Sequence, residues 1–180
     1  ARNYNKTTYQ TSANINLTID GQAIHKTTNA KLLGIKIDSG LTFEEHFHEI
    51  CNKCNKKLNL LKILSSKNYG LKSKTLLTIY KLTILSIIQY SMLPYKVAKL
   101  KTKNKLQMIQ NRALKTIFKL SQKTSTNLVH AIANVPYIEQ RINQLVSRYI
   151  KRSASIDSEI KNILTTQSCK RSILHNIIKD

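Results

Sequence analysis

From Cys51 to Ile138 the sequence runs for 88 residues without a single carboxylate side chain. Sixteen lysines and Arg112 fall in that window, which carries +17 with nothing inside it to pair against, so the segment repels itself. The chain's nine acids lie outside: Asp20, Asp38, Glu44, Glu45 and Glu49 before it, Glu139, Asp157, Glu159 and Asp180 after it. Codons rich in A and T favour Lys, Asn and Ile, but Glu codons are also rich in A, so base composition does not explain the missing acids. The asymmetry marks a surface that faces a polyanion, with nucleic acid the first candidate and an anionic membrane the second.

With 180 residues, 41% of them hydrophobic, the chain is long enough for one domain with a core, and disorder is not expected. Its longest apolar stretch, Leu76 to Ile88, is interrupted by Thr78, Lys81 and Thr83 and falls well short of the ~20 residues of a membrane-spanning helix. No membrane-spanning helix is expected on that account, and with nucleic acid the leading candidate no membrane partner is assigned. Three cysteines, an odd number, fit a reducing, intracellular compartment, nucleus or cytoplasm. Position 1 is Ala with no signal-peptide pattern, so the chain reads as a fragment of something longer.

Strand signals are confined to the first forty residues. Ile15, Leu17 and Ile19 alternate with polar neighbours before the turn Asp20-Gly21, and Ala23-Ile24 begins a return strand. Leu32 to Ile37 forms a second extended run, closed by Asp38-Ser39-Gly40. Thr42-Phe43-Glu44-Glu45 has the form of a capping box, predicting a helix from Phe43. Phe43, Phe47, Ile50, Cys54, Leu58 and Leu61 then make one apolar face, and this helix ends before Gly70.

Ser73 is placed to cap a second, strongly apolar helix through about Gln89, the expected centre of the core, and Pro94 to break the chain after it. A third helix spans about Thr102 to Phe118, with Leu106, Ile109, Ala113 and Ile117 inward and Lys103, Asn111 and Lys115 pointing elsewhere. A short helix over Thr126 to Ala133 precedes Pro136, which suits a helix's first turn, and Ile138, Ile142, Leu145, Tyr149 and Ile150 form a last stripe. The fold class is α+β, mainly α: a small N-terminal strand remnant followed by a basic helical bundle.

Candidate chemistry is sparse. Asp38, Glu44, Glu45 and Glu49 are the one carboxylate cluster, and capping with helix-dipole compensation accounts for Glu44 and Glu45 without a metal. His46, His48, Cys51 and Cys54 are zinc-capable, but one helix fans them around its axis, and Cys54 continues the apolar stripe; no metal and no catalytic residue is assigned. For phosphate contact the candidates are Lys72 and Lys74 before the second helix, Lys99, Lys101, Lys103 and Lys105 before or at the start of the third, and Arg112 and Lys115 within it. Gln110, Asn111 and Arg112 read equally well as an exposed contact surface or as a packed one. Tyr69, Tyr80, Tyr90 and Tyr95 lie among apolar residues and are expected in the core rather than stacked on bases.

The order of signatures carries a resemblance: Asn5-Lys6-Thr7, Leu32-Leu33-Gly34-Ile35-Lys36-Ile37-Asp38, Leu41-Thr42-Phe43, His46, Gly70-Leu71, Leu76 to Tyr80, Ile88-Gln89-Tyr90, Pro94, Ile109 to Lys115 and Glu139-Gln140-Arg141. Over residues 3 to 150 this succession resembles the C-terminal part of the reverse transcriptase of jockey-like non-LTR retrotransposons. The family usually has Trp shortly after the proline matching Pro94, where this chain has Tyr95.

The resemblance implies an RNA-directed DNA polymerase whose metal-binding aspartates lie upstream, so that the fragment itself needs no cofactor while the full-length parent uses Mg²⁺. It implies that residues 1–40 are the end of the palm and the primer-grip-like strands, 41–152 a helical thumb-like domain and 153–180 a helical tail. Lys31, Gly34 and Lys36 match the primer-grip hairpin, and Lys6 a lysine near the incoming nucleotide. The implied partners are RNA template, DNA primer, their hybrid, and the palm and fingers of the same polyprotein. The competing readings are a stand-alone basic helical protein that coats nucleic acid and a helical interaction module.

Overall fold

Two small hairpins precede seven helices in the computed structural model, which describes residues 18–23, 27–66 and 70–156. The fold is thus α+β and mainly α. Lys6, Ile15, Leu17, Ile24, Tyr69 and residues 157–180 lie outside the described residues.

Strands β1 (Thr18–Ile19) and β2 (Gln22–Ala23) pair antiparallel around Asp20-Gly21, whose φ values of 50° and 76° give the left-handed turn that matches strand twist. The second extended run is not one strand but a hairpin, β3 (Asn29–Leu32) with β4 (Ile35–Asp38), in which Asn29 faces Asp38 and Leu32 faces Ile35. Its turn is Leu33-Gly34, with φ of 47° and 83°. A Cβ at Gly34 would meet nothing within 4 Å, so glycine is there for its backbone angle rather than for space.

Helix α1 (Glu44–Leu64) follows, and the expected capping box does not form. Phe43 occupies the cap position in a left-handed conformation, φ 55°, with no side-chain cap of its own. The Asp38 carboxylate takes that place: Oδ2 accepts from the Thr42 N–H and the Thr42 hydroxyl, both at 3.0 Å, and Oδ1 from the Phe43 N–H at 2.7 Å. Glu45, the other half of the expected box, is drawn instead to Lys36 Nζ at 2.7 Å.

The central apolar segment is α2 (Ser73–Tyr80), a π-helical turn (Lys81–Leu85) and α3 (Ser86–Tyr90) in succession. Ser73 does not cap α2; its hydroxyl donates to the Ile117 carbonyl at 3.1 Å, tying the start of α2 to a residue 44 positions on. Hydroxyls accompany the π-turn: Thr83 Oγ1 donates to Ile79 O at 2.7 Å and Ser86 Oγ to Leu82 O at 2.6 Å, occupying carbonyls that a regular helix would use four residues on. Pro94 does not break the chain. It lies in the first turn of α4 (Met92–Val97), where a missing N–H leaves no helical bond unmade; the break falls before it, at Ser91.

Helix α5 (Leu100–Ile117) lies along α1, followed by α6 (Thr126–Ala133) and α7 (Ile138–Ile156). The core sits between them: Cys54, Leu58 and Leu61 of α1, Leu76, Tyr80, Ile84 and Ile88 of the central segment, Leu106, Ala113, Leu114 and Ile117 of α5 and Val129, Ile138 and Ile142 beyond are all buried. In α7 the buried stripe continues through Val146, while Tyr149 is exposed, and Pro136 lies ahead of the helix rather than in its first turn. Two side chains start α7 instead: Gln107 Oε1 accepts from the Ile138 N–H at 3.1 Å and Gln140 Oε1 from the Tyr137 N–H at 3.3 Å.

Candidate nucleic-acid interface

The cations of α5 divide by helical face. Lys101, Lys105, Met108, Arg112 and Lys115 recur at steps of four, three, four and three residues and so share one side, opposite the buried Leu106, Ile109, Ala113 and Ile117. Lys101, Lys105 and Arg112 are exposed; Lys115 is half-buried, its Nζ donating to Gln122 O at 2.6 Å. No carboxylate among the described residues pairs with any of the four. Because Ser73 is bonded to Ile117, the exposed Lys72 and Lys74 stand at the C-terminal end of the same helix.

Lys103 lies on another face. Its Nζ is 5.3 Å from the centroid of the buried Tyr95 ring and 3.9 Å from Glu139 Oε1, and its side chain is only 18% exposed. The window's lysines are therefore not all without partners: the fold brings Glu49 to Lys53 at 2.7 Å, Glu44 to Lys99 and Glu139 to Lys103, using acids that flank the window in sequence.

The hairpin residues separate too. Lys31 is exposed on β3, and Gly34 forms the turn. Lys36 faces Lys31 across the strands, an unfavourable pairing, and reaches instead to Glu45 at 2.7 Å and Glu49 at 3.4 Å. The hydrogen bond it donates to the Glu45 carboxylate holds its ammonium group above the usual lysine range. Lys36 thus fastens β4 to α1. Its backbone N–H also donates to His46 Nδ1 at 3.4 Å, and the opposite ring nitrogen donates to Ser91 Oγ at 3.0 Å, both groups being buried. Tyr90 completes the clasp, donating its exposed hydroxyl to the Leu33 carbonyl in the hairpin turn.

Gln110 and Asn111 are packed, and Arg112 is exposed. Fully buried Gln110 donates to Pro136 O at 3.1 Å and accepts from Gln107 Nε2 at 2.8 Å, and Asn111 Oδ1 lies 3.0 Å from His130 Nε2. Of the tyrosines, Tyr80 and Tyr95 are in the core and Tyr90 is not.

The four zinc-capable side chains of α1 go to different neighbours: His46 to Lys36 and Ser91, His48 to Asn52, Cys54 into the core, where burial pushes its thiol up to about 12, and Cys51 to the seam with α5. Among the described residues no three His, Cys, Asp or Glu side chains come together in a way that would hold a metal ion. No catalytic step is assigned to the described residues. Among them, too, no helix is long and apolar enough to cross a membrane.

The chain is similar to two RNA-directed DNA polymerases of mobile elements. It is 26% identical over 134 residues to the "Probable RNA-directed DNA polymerase from transposon BS" of Drosophila melanogaster, covering 74% of this chain and 15% of that protein. It is 24% identical over 136 residues to the "RNA-directed DNA polymerase from mobile element jockey" of Drosophila funebris, covering 76% of this chain and again 15% of the relative. The chain thus spans about 15% of the length of the curated relatives it matches. No family model and no solved structure matches it.

Proposed function

We propose that this chain is the template-primer binding portion of a non-LTR retrotransposon RNA-directed DNA polymerase, holding RNA template, DNA primer and their hybrid through phosphate. The carrying observation is the α5 face with Lys101, Lys105, Arg112 and Lys115, uninterrupted by acids and continued by Lys72 and Lys74. Lysines act on phosphate as point charges and read no base sequence, so the contact suits an enzyme that must move along any template. In this reading residues 1–40 close the palm and supply the primer-grip-like hairpin, 41–152 form the thumb and 153–180 a tail. Polymerisation, with its Mg²⁺, belongs to the palm and fingers of the same polypeptide.

The test is a salt series on binding of an RNA–DNA hybrid and of a second hybrid of scrambled sequence. Counterion release lowers log affinity by about 0.9 per phosphate for each unit of log salt, so about half a dozen contacts give a slope near −5. Arg112→Ala should reduce its size by about one and leave the two hybrids equivalent, whereas Lys53→Ala, already paired with Glu49, should change it little. A flat salt dependence overturns the reading and favours an interaction module.

A further inference from the structure

The seam between α1 and α5 opens into a groove of about 480 Å³, lined by Phe47, His48 and Cys51 on one side and Lys101, Thr102 and Lys105 on the other. Glu44 and Glu45 stand at one end, but each already accepts from an ammonium group, Glu44 from Lys99 and Glu45 from Lys36. Lys101 and Lys105 have no carboxylate partner among the described residues. The unbalanced charge of the groove is therefore positive and concentrated on its α5 wall. Its inner surface is apolar: Phe47 is 2% exposed and Cys51 half-buried.

That combination defines the occupant. A free phosphate would satisfy the lysines but leave the apolar surface wet, and a purely apolar ligand would leave two ammonium groups unpaired at its edge. A sugar–phosphate backbone offers both, anionic oxygens at regular intervals and apolar sugar faces between them. The seam also continues with the same character. On α1, Asn55 and Lys62 follow Cys51 by four and eleven residues, and on α5 Arg112 follows Lys105 by seven, each returning within about 40° to the same face. The run from Lys101 to Arg112 is ~16 Å long, four or five nucleotides of a stacked strand at roughly 3.4 Å each. No acid occurs along that continuation, since it lies in the carboxylate-free window.

We infer that the α1–α5 groove seats the sugar–phosphate backbone of one nucleic-acid strand, with Lys101 and Lys105 on successive phosphates and Cys51 covered by the bound strand. The inference rests on the nucleic-acid binding proposed above and adds where a strand lies. Cys51 supplies the readout. Burial raises its thiol pKa, so labelling of the full chain is run at mildly alkaline pH with N-ethylmaleimide and followed on the Cys51 peptide by mass spectrometry, with and without a single-stranded oligothymidylate or an RNA–DNA hybrid.

Either nucleic acid should slow labelling of Cys51 several-fold at low salt and not at high salt. The oligothymidylate arm reports a free strand and the hybrid arm one strand of a duplex. The double substitution Lys101→Ala/Lys105→Ala should abolish the protection and reduce the single-strand salt slope by about 1.4, the share of two phosphates. Cys54, fully buried, reports folding by staying unlabelled in every variant. Binding with an undiminished slope while Cys51 labels as fast as in free protein overturns the groove assignment and leaves template-primer binding standing. Absence of binding by both nucleic acids overturns both.

Discussion

Three donors converge on the Asp38 carboxylate, two of them the backbone N–H groups that enter α1. Those bonds, led by that from the Thr42 N–H, hold its carboxyl below its ordinary value of 3.8. A depressed folded-state pKa means that the charged form favours the folded protein: the contribution is complete above the ordinary value and is lost as pH falls through the lower, folded one. Asp38→Ala should therefore lower the melting midpoint at neutral pH more than Thr42→Ala, which removes one bond of the three, and the gap between Asp38→Ala and wild type should close in acid. Thermal melts across pH check this; a larger loss from Thr42→Ala would return the cap to the threonine. Burial keeps the neighbouring His46 below the ordinary histidine range, in the neutral form that accepts the Lys36 N–H.

At the scale of elements, helices whose apolar residues recur strictly at three and four, α1 and α5, were legible in the sequence, because burial of one stripe is what makes such a segment helical at all. Less legible were features that depend on partners distant in sequence. Nothing local announces that Leu33 takes a left-handed turn, since Tyr90, 57 residues on, supplies the bond at its carbonyl. Lys103 differs from Lys101 only in which face it occupies, and that face becomes costly to expose only once Tyr95 is beside it. The π-turn shifts the register of the central segment, burying Ile84 completely and leaving Leu82 70% exposed. Ile84→Ala should then cost about 2–5 kcal/mol and Leu82→Ala under about 0.5 kcal/mol in urea unfolding. Equal losses would mean that the central segment has no such outer side.

For the molecule as a whole, the placement of charge matters more than its total. Glu44 and Glu139 meet Lys99 and Lys103, around the first turn of α5, and Glu45 and Glu49 lie one turn or so along the adjoining α1, whereas Lys72, Lys74 and Arg112 belong to the opposite end. Charge reversal at that far end, Lys72→Glu/Lys74→Glu, should slow association with an RNA–DNA hybrid more than it speeds dissociation in stopped-flow measurements, and the effect should fade as salt is raised. A change confined to the dissociation rate would mean that these lysines act only after contact.

Because the acids gather at the N-terminal end of α5, where they offset part of the charge of Lys99, Lys101, Lys103 and Lys105, positive charge is less diluted toward Lys72, Lys74 and Arg112, and the side-chain charges have a dipole component along the helix. A polyanion then exerts a torque as well as an attraction, turning the end with Lys72 and Arg112 toward itself before the surfaces touch. Encounters would begin in a narrow range of orientations, and less of each collision would be spent in rotational search.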